Sequence, residues 1–259
     1  MLQPKSINIP MTTLISGCSF TFWPDGPDGP NICWPKYFQE LVPNKKIVNL
    51  AEPAAGNQYI CDSVIREILE NPGVYDQVIV MWSGVSRLDY ITDVTDPAWN
   101  QLFDSYGFYR RLTNQKLGYI FSGGQMGTWY QNPVAHKMFY EMYKVSSELS
   151  LATINLQEIV KLQNFLNAKH IPFKFMSYVN YWTDIKHVSP NGDFGVAAMP
   201  DLKFLIDEID FDQWIFLNQD RDGLYELAKQ KNDFMEDRFH PGGDTHRAWA
   251  ELVVNQLQN

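Results

Sequence analysis

The sequence predicts an α/β fold built on a mostly parallel sheet, and three observations support this prediction. The segment "QVIVMW", residues 77–82, is a continuous apolar run of the kind found in strands buried on both faces of a parallel sheet. Residues 151–168 carry apolar side chains at helical spacing. Strand-like and helix-like segments alternate along the chain, which indicates a parallel sheet with right-handed crossovers.

The first part of the chain contains three predicted strands and two predicted helices. The first strand is a short apolar run that ends at Gly17, and the second helix is stopped by the turn residues Asn71, Pro72 and Gly73. Helical spacing of aromatic and aliphatic side chains defines the first helix. We predict strands at 11–16, 46–50 and 77–82, and helices at 34–41 and 57–70.

The second part begins with a segment at about 92–150 that has no clean periodicity, and we predict an insertion with some helix near 135–150. Its aromatic residues could form a lid or a sugar-stacking wall, or could pack the insertion onto the domain. These residues are Trp99, Tyr106, Tyr109, Trp129 and Tyr130. After it we predict helices at 151–168, 200–210 and 244–257 and a strand at 171–179, within a single domain spanning 1–259.

Composition limits the classes of function. The net charge of −9 argues against nucleic acid as a partner, because phosphate binding requires a basic surface. Three scattered cysteines are too few for a disulfide framework or a zinc site. No apolar run approaches the length of a membrane span, and the first residues lack the pattern of a signal peptide. We therefore expect a soluble, cytoplasmic protein that does not bind membranes.

Cys18 and Ser19 follow the first predicted strand, at the edge of the sheet where ligands bind in parallel α/β folds. Ser19 could be a nucleophile if a histidine lies within hydrogen-bond reach and a carboxylate orients that histidine. Cys18 is the less favoured alternative, because a cysteine beside a glycine at a strand end is more often a small buried residue.

Two histidines have an aspartate three residues earlier, a spacing of about one turn. One pair is Asp184 and His187, and the other is Asp237 and His240. Pro241 disfavours helical geometry at His240, so this histidine is expected on a loop before the last helix. His246, in the first turn of that helix, is expected at the surface rather than as a second base.

Four segments together resemble the SGNH (GDSL-like) hydrolase family. They are "SGCSFT" (16–21), "NLAEPAAGNQ" (49–58), "VIVMWSGVSRLD" (78–89) and "DRFHPGGDTHRAWA" (237–250), in the order of the family's first, second, third and fifth blocks. The resemblance implies a three-layer, flavodoxin-like fold. It also implies hydrolysis of an ester, often on a sugar or lipid, with Ser19 as nucleophile, His240 as base and Asp237 orienting His240.

The resemblance further implies an oxyanion hole formed by the backbone N–H groups of Ser19 and Gly56 and by a side chain of the third block. The family's usual asparagine in that block is missing, since the sequence reads Gly-Val-Ser-Arg at 84–87. Ser86 or Arg87 could donate instead. Asn57 is predicted to reach toward the substrate, and Trp82 is a second predicted substrate contact.

Two functions from different classes follow. The first is a serine ester hydrolase, either a deacetylase or a carboxylesterase, with acyl transfer as a variant of the same chemistry and a small-molecule or glycan ester as substrate. The second is a non-catalytic carbohydrate-binding or interaction module on the same scaffold. We expect no cofactor and no metal, because the acidic turn with Asp25 and Asp28 lacks the ligand spacing of a calcium loop.

Overall fold

The computed structural model describes residues 12–22, 33–93, 95, 109–111, 117–123, 133–190 and 192–258. Four parallel strands form the central sheet in the order β2-β1-β3-β7. A second, antiparallel sheet has the order β4-β6-β5. The strands are β1 (Thr12–Ser16), β2 (Lys46–Asn49), β3 (Gln77–Trp82), β4 (Asp89–Asp93), β5 (Tyr109–Arg111), β6 (Leu117–Phe121) and β7 (Phe173–Ser177).

Helices flank the central sheet, and the predicted three-layer α/β arrangement is confirmed. Helix α1 packs against α7, and α2 packs against α4. The helices of the described ranges are α1 (Trp34–Leu41), α2 (Asn57–Glu70), α3 (Pro133–Val145), α4 (Glu148–Lys169), α5 (Lys203–Ile206), α6 (Leu224–Lys231) and α7 (Gly243–Gln258).

The core lies on both sides of β1 and β3. All five residues of β1 are buried, and so are the last five of β3, which matches the continuous apolar run predicted for a doubly covered strand. The three cysteines of the chain are free thiols in this interior. Burial raises the pKa of Cys33 to about 11 and raises that of Cys61 further, so both thiols act as small apolar side chains.

The insertion contains more regular structure than its sequence pattern indicates. Helix α3 lies where some helix was predicted, while the three short strands of the antiparallel sheet were not predicted. Tyr109 is the first residue of β5. The other aromatic residues named for a lid lie outside the described residues, so that role stays a prediction.

The helix predicted at 200–210 is only partly present. A 3₁₀ turn at Pro200–Leu202 leads into the short α5, and the chain then leaves helical geometry. The side chain of Gln163 explains the ending. Its amide donates to the carbonyl of Glu208 at 2.8 Å and accepts from the N–H of Asp210 at 2.8 Å, so a side chain on α4 replaces the hydrogen bonds of a further helical turn.

One buried amide joins α4 to the turn that follows β3. Asn155 donates from Nδ2 to the carbonyls of Val85 at 2.9 Å, Arg87 at 3.1 Å and Leu151 at 2.9 Å. The turn cannot satisfy these carbonyls with water, because Asn155 and its neighbours are buried. Helix α4 therefore fixes the position of residues 85–87. Among the described residues, no helix has the length and apolar character needed to cross a membrane.

The Asn155→Ala variant tests this connection. We expect the free energy of unfolding to fall by about 1–3 kcal/mol, because buried carbonyls lose their donor. Urea denaturation measures it. Asn164→Ala, on the exposed face of the same helix, is the matched control and should be neutral or slightly stabilising, since alanine is the better helix former. Equal effects of the two substitutions would contradict the expectation.

Candidate active site

The structure brings Ser19, His240 and Asp237 into one hydrogen-bonded row. Ser19 lies in the turn that follows β1, where the N–H groups of Thr21 and Phe22 both donate to the carbonyl of Cys18 at 2.9 Å. The Oγ of Ser19 is 2.9 Å from Nε2 of His240. Nδ1 of His240 is 2.5 Å from Oδ2 of Asp237. This is the order of contacts that transfers a hydroxyl proton to an oriented imidazole.

The loop between α6 and α7 holds His240 and Asp237 by local hydrogen bonds. Oδ1 of Asp237 accepts the backbone N–H groups of Phe239 and His240, each at 2.9 Å. The carbonyl of His240 accepts the N–H of Met235 at 2.8 Å. Arg238 adopts a left-handed φ of 58°, which is uncommon outside glycine, so the turn is held against a local conformational cost.

These bonds decide the charge on Asp237. Partial burial by itself would raise the pKa of this carboxyl group, but the hydrogen bonds from the His240 ring and from the Phe239 and His240 backbone outweigh it and lower the pKa. Asp237 therefore remains a carboxylate at neutral pH. A carboxylate at Nδ1 fixes the tautomer of His240 that leaves Nε2 free to accept the proton of Ser19.

Aromatic rings enclose His240 on its inner side. The ring centroid of Phe20 is 5.2 Å from that of His240, and the centroid of Phe239 is 5.0 Å away. Phe20 in turn packs on Tyr178, with centroids 4.5 Å apart. Ser19 stays partly exposed and His240 is 30% exposed, so solvent and a small substrate can reach the row of polar groups.

The other predicted alternatives do not reach this row. Cys18 is fully buried, so its thiol does not face solvent. His187 and Asp184 are exposed, and His187 lines a separate cavity of about 360 Å³ together with Asn180, Glu226 and Lys229. The structure thus brings His240, and not His187, to the hydroxyl of Ser19.

His246 was predicted at the surface, and this prediction is wrong. The side chain is 3% exposed, and its Nδ1 accepts the N–H of Trp34 at 3.2 Å, which satisfies the first backbone donor of α1. Burial and the neighbouring His240 lower the pKa of His246 to about 3. His246 is neutral at physiological pH and joins α7 to α1.

The predicted oxyanion donors divide into one free group and three engaged groups. The N–H of Ser19 has no acceptor among the described residues. The N–H of Gly56 donates to Oδ1 of Asp89 at 2.9 Å, and the hydroxyl of Ser86 donates to Oδ1 of Asp193 at 2.6 Å. Each of these two groups would have to leave a carboxylate before it could donate to a substrate.

Arg87 is the third engaged donor, but only part of it is used. One of its terminal nitrogens donates to the carbonyl of Ala55 at 3.1 Å, while its Nε has no partner in the described ranges. Arg87 as a whole is 3% exposed. Its guanidinium lies 5.7 Å from the ring centroid of Tyr178 and forms no ion pair with any described carboxylate. It interacts electrostatically with Asp89 and Asp193 and lies close to Cys18.

The two predicted substrate contacts are internal. Asn57 binds the backbone of Ser83 through both ends of its amide, accepting at 2.8 Å and donating at 3.3 Å. Trp82 is fully buried as the last residue of β3, with its ring 5.3 Å from that of Phe175. The prediction that Trp82 contacts substrate is wrong for this conformation, because both faces of β3 are covered.

Sequence reasoning missed two buried carboxylates. Asp89 accepts the N–H of Gly56 and, at 2.8 Å, the N–H of Tyr59, and so caps α2 from another segment of the chain. Asp193 binds Ser86, 107 residues away. In each case the sequence feature that could have indicated the buried carboxylate is a glycine that makes room for it. A Cβ on Gly56 would lie 2.8 Å from Asp89, and a Cβ on Gly84 would lie 1.8 Å from Asp193.

One group of side chains has the composition of a metal site. Cys61, Asp62 and Glu158 place their ligand atoms within 4.8 Å of one another in the described part of the chain. Lys161 already donates to Asp62 at 2.8 Å and to Glu158 at 2.7 Å. Because an ammonium group occupies both carboxylates, this arrangement is a salt-bridged helix contact.

The charge of Asp89 should make stability depend on pH. Burial raises the pKa of Asp89 to about 7, although hydrogen bonds from Tyr59 and Gly56 and the charge of Arg87 lower it. The folded state then holds a proton that the unfolded chain releases near pH 4, so this group lowers the stability as pH rises from about 4 to about 7.

We therefore expect the free energy of unfolding to fall more steeply over that range in the wild type than in Asp89→Asn, which cannot titrate. Urea denaturation at several pH values measures both slopes. Asp62, which also faces this region, is unchanged in the comparison, so the difference between the two slopes isolates Asp89. Parallel slopes would show that Asp89 does not titrate in this range.

Comparisons with known proteins give similarities to solved structures alone. No family model and no curated protein matches the chain. The psychrotrophic esterase EstA from Pseudoalteromonas sp. is 10% identical over 95% of this chain and 96% of that chain, with a TM-score of 0.48. A catalytic mutant of Axe2, an acetylxylan esterase from Geobacillus stearothermophilus, is 12% identical over 96% and 94%, with a TM-score of 0.46. A member of the lipolytic protein G-D-S-L family from Veillonella parvula is 11% identical over 95% and 97%, with a TM-score of 0.43.

Proposed function

We propose that this protein is a serine ester hydrolase with Ser19, His240 and Asp237 as its catalytic residues. The observation that carries the proposal is the contact of 2.9 Å between Ser19 Oγ and His240 Nε2, continued by the contact of 2.5 Å between His240 Nδ1 and Asp237. The row is partly exposed to solvent, and its hydroxyl lies beyond the carboxyl end of β1, where parallel α/β folds bind ligands.

Each residue has one task in the reaction. Ser19 Oγ attacks the ester carbonyl while Nε2 of His240 takes its proton, and the carboxylate of Asp237 stabilises the imidazolium that forms. His240 then gives the proton to the leaving alcohol oxygen, which leaves an acyl group on Ser19. A water molecule, deprotonated by the same histidine, attacks this acyl group and releases the acid. An alcohol in place of water would give acyl transfer.

The oxyanion is stabilised by the N–H of Ser19, which has no acceptor among the described residues, and by the charge of Arg87. The N–H of Gly56 and the hydroxyl of Ser86 both donate to internal carboxylates. Neither group is therefore available to donate to the oxyanion. Arg87 is buried, and its Nε has no partner within the described ranges, so its charge is only weakly screened by solvent. A buried charge near the reacting carbonyl stabilises a developing oxyanion even without direct contact.

The proposed substrates are esters with a small acyl group, carried by a small molecule or a carbohydrate. An acetyl group is the first choice, because it needs no extended acyl pocket beside the partly exposed Ser19. Specificity for a sugar would depend on the aromatic residues of the insertion, which lie outside the described residues. That preference is therefore a prediction from the sequence.

One observation favours the second function, a carbohydrate-binding or interaction module without catalysis. The amide of Gly56 and the hydroxyl of Ser86 are both held by carboxylates, which leaves the oxyanion fewer donors than a typical hydrolase offers. The two functions differ in whether Ser19 reacts. A catalytic serine beside a free imidazole is labelled by a fluorophosphonate, whereas a serine in a binding module is not.

Hydrolysis of p-nitrophenyl acetate and of acetylated sugars by purified variants tests the hydrolase. We expect Ser19→Ala and His240→Ala each to lower kcat by about 10³-fold or more, because each removes a member of the proton-transfer row. Fluorophosphonate labelling should disappear in Ser19→Ala.

His187→Ala is the matched control, since it removes the histidine of the other Asp–His pair, and it should keep the activity and labelling of the wild type. Equal turnover by the wild type and Ser19→Ala would refute the nucleophile. A wild type that neither hydrolyses esters nor reacts with the fluorophosphonate would favour the binding module.

A further inference from the structure

Asp193 is a fully buried carboxylate that the proposed reaction does not use. Its Oδ1 accepts the hydroxyl of Ser86 at 2.6 Å and the N–H of Ser86 at 3.3 Å. Its Oδ2 accepts the hydroxyl of Ser189 at 2.7 Å and the hydroxyl of Tyr178. All four contacts are donors, so the side chain acts only as an acceptor. An isolated carboxylate in this position would be costly, and these donors offset that cost.

The donors come from three segments that meet at the carboxyl edge of the sheet. Ser86 lies in the turn after β3, Tyr178 directly follows β7, and Ser189 belongs to the long loop that contains Asp193 itself. Strands β3 and β7 are neighbours in the sheet, and the N–H of Tyr178 donates to the carbonyl of Trp82 at 3.2 Å. Asp193 therefore links the carboxyl ends of the adjacent strands β3 and β7 through hydrogen bonds.

The close approach of Asp193 requires the glycine of the third block. A Cβ at position 84 would lie 1.8 Å from Oδ1 and 2.1 Å from Cγ of Asp193, distances at which the carboxylate would have to move. Gly84 thus provides the space that brings the carboxylate onto Ser86.

Tyr178 connects this carboxylate to the catalytic row. Burial, and then the neighbouring Asp193, raise the pKa of Tyr178 well above its usual range, so its hydroxyl keeps the proton that it donates. The ring of Tyr178 packs on Phe20, the residue after Ser19, at 4.5 Å between centroids. It also packs at 6.4 Å on Phe239, the residue before His240. One ring therefore supports the neighbours of both partners in the proton transfer.

We propose that Asp193 is a positioning residue, which holds Tyr178 and the turn at Ser86 so that the aromatic wall keeps Ser19 and His240 within hydrogen-bond distance. The proposal rests on the proposed hydrolase function for its kinetic consequence, and on geometry alone for its structural one. Asp193 touches neither substrate nor the reacting atoms. It acts through Tyr178, Phe20 and Phe239.

Asp193→Asn and Tyr178→Phe remove the interaction from either side with little change of volume. An asparagine amide cannot accept from a hydroxyl at its nitrogen, so at least one of the donors loses its acceptor. We expect kcat for p-nitrophenyl acetate to fall by about 10- to 100-fold in each variant, with KM changed less than about threefold, because a displaced general base slows chemistry more than binding. The double variant should lose less than the product of the two single losses, since both substitutions affect the hydrogen bond between Tyr178 and Asp193.

The matched control is the Glu67–Tyr75 pair, another tyrosine hydroxyl that donates to a carboxylate. Glu67 lies in the last turn of α2, at the end opposite to Gly56, about 17 Å along the helix. Glu67→Gln and Tyr75→Phe should lower the thermal unfolding temperature and leave kcat at the wild-type value. A loss of kcat in these variants equal to that in Asp193→Asn would show that reduced stability alone explains the effect, and would overturn the proposal.

Crystal structures of Asp193→Asn and Glu67→Gln give a readout that does not depend on activity. We expect the distance between Ser19 Oγ and His240 Nε2 to exceed about 3.5 Å in Asp193→Asn and to keep its value of 2.9 Å in Glu67→Gln. An unchanged distance in Asp193→Asn would overturn the positioning role even if the protein hydrolyses esters. Equal turnover by the wild type and Ser19→Ala would refute the hydrolase, while the distance would still decide the role of Asp193.

Discussion

The four parallel strands of the central sheet end at one edge, and this constraint brings together the segments around Ser19, Gly56, 84–87 and Tyr178. Ser19 follows β1, Gly56 lies in the segment after β2, the turn at 84–87 follows β3, and Tyr178 follows β7. The strands bring these groups together although they are far apart in the chain, and the loop before α7 adds His240 from 221 residues beyond Ser19. Because β1 and β3 are covered on both faces, the edge is the part of these strands where polar side chains can meet solvent.

Behind that edge the fold buries three charged side chains, and their pairing shapes the chemistry in front of them. Arg87 interacts electrostatically with Asp89 and Asp193 and forms no ion pair with either of these described carboxylates, so its charge is balanced at a distance rather than by contact. The two carboxylates are instead stabilised by N–H and O–H donors. The close approach of these carboxylates explains why the two motifs have glycine at positions 56 and 84. Gly56 and Gly84 leave room for the carboxylates of Asp89 and Asp193.

The fold could be predicted from the sequence because its signals are local. The apolar run of β3 and the spacing of α4 identified their elements with small errors at the ends. Asp237 and His240 are in contact because three residues separate them and the turn is closed by its own hydrogen bonds, which is a local signal. The helix at 200–210 was overestimated because the bonds that end it come from Gln163, on another helix.

The interior of the site could not be predicted, because its contacts join segments without any local pattern. The sequence around Asp193 is a polar loop with turn residues. Nothing in it indicates that the carboxylate contacts Ser86, which lies 107 residues earlier in the chain. His246 was mispredicted for the same reason. Its position in the first turn of α7 suggests exposure to solvent, but α1 packs against α7 and buries it. Local periodicity identifies which face of an element is apolar, and it does not identify which buried polar group meets which donor.

The burial of Asp89 connects the charge behind the site to its reactivity. Protonation of Asp89, whose pKa burial raises to about 7, removes one of the two negative charges that oppose Arg87. The field of Arg87 on a developing oxyanion is then stronger. The depth at which the fold buries Asp89 therefore sets how strongly Arg87 would favour the oxyanion in the proposed reaction.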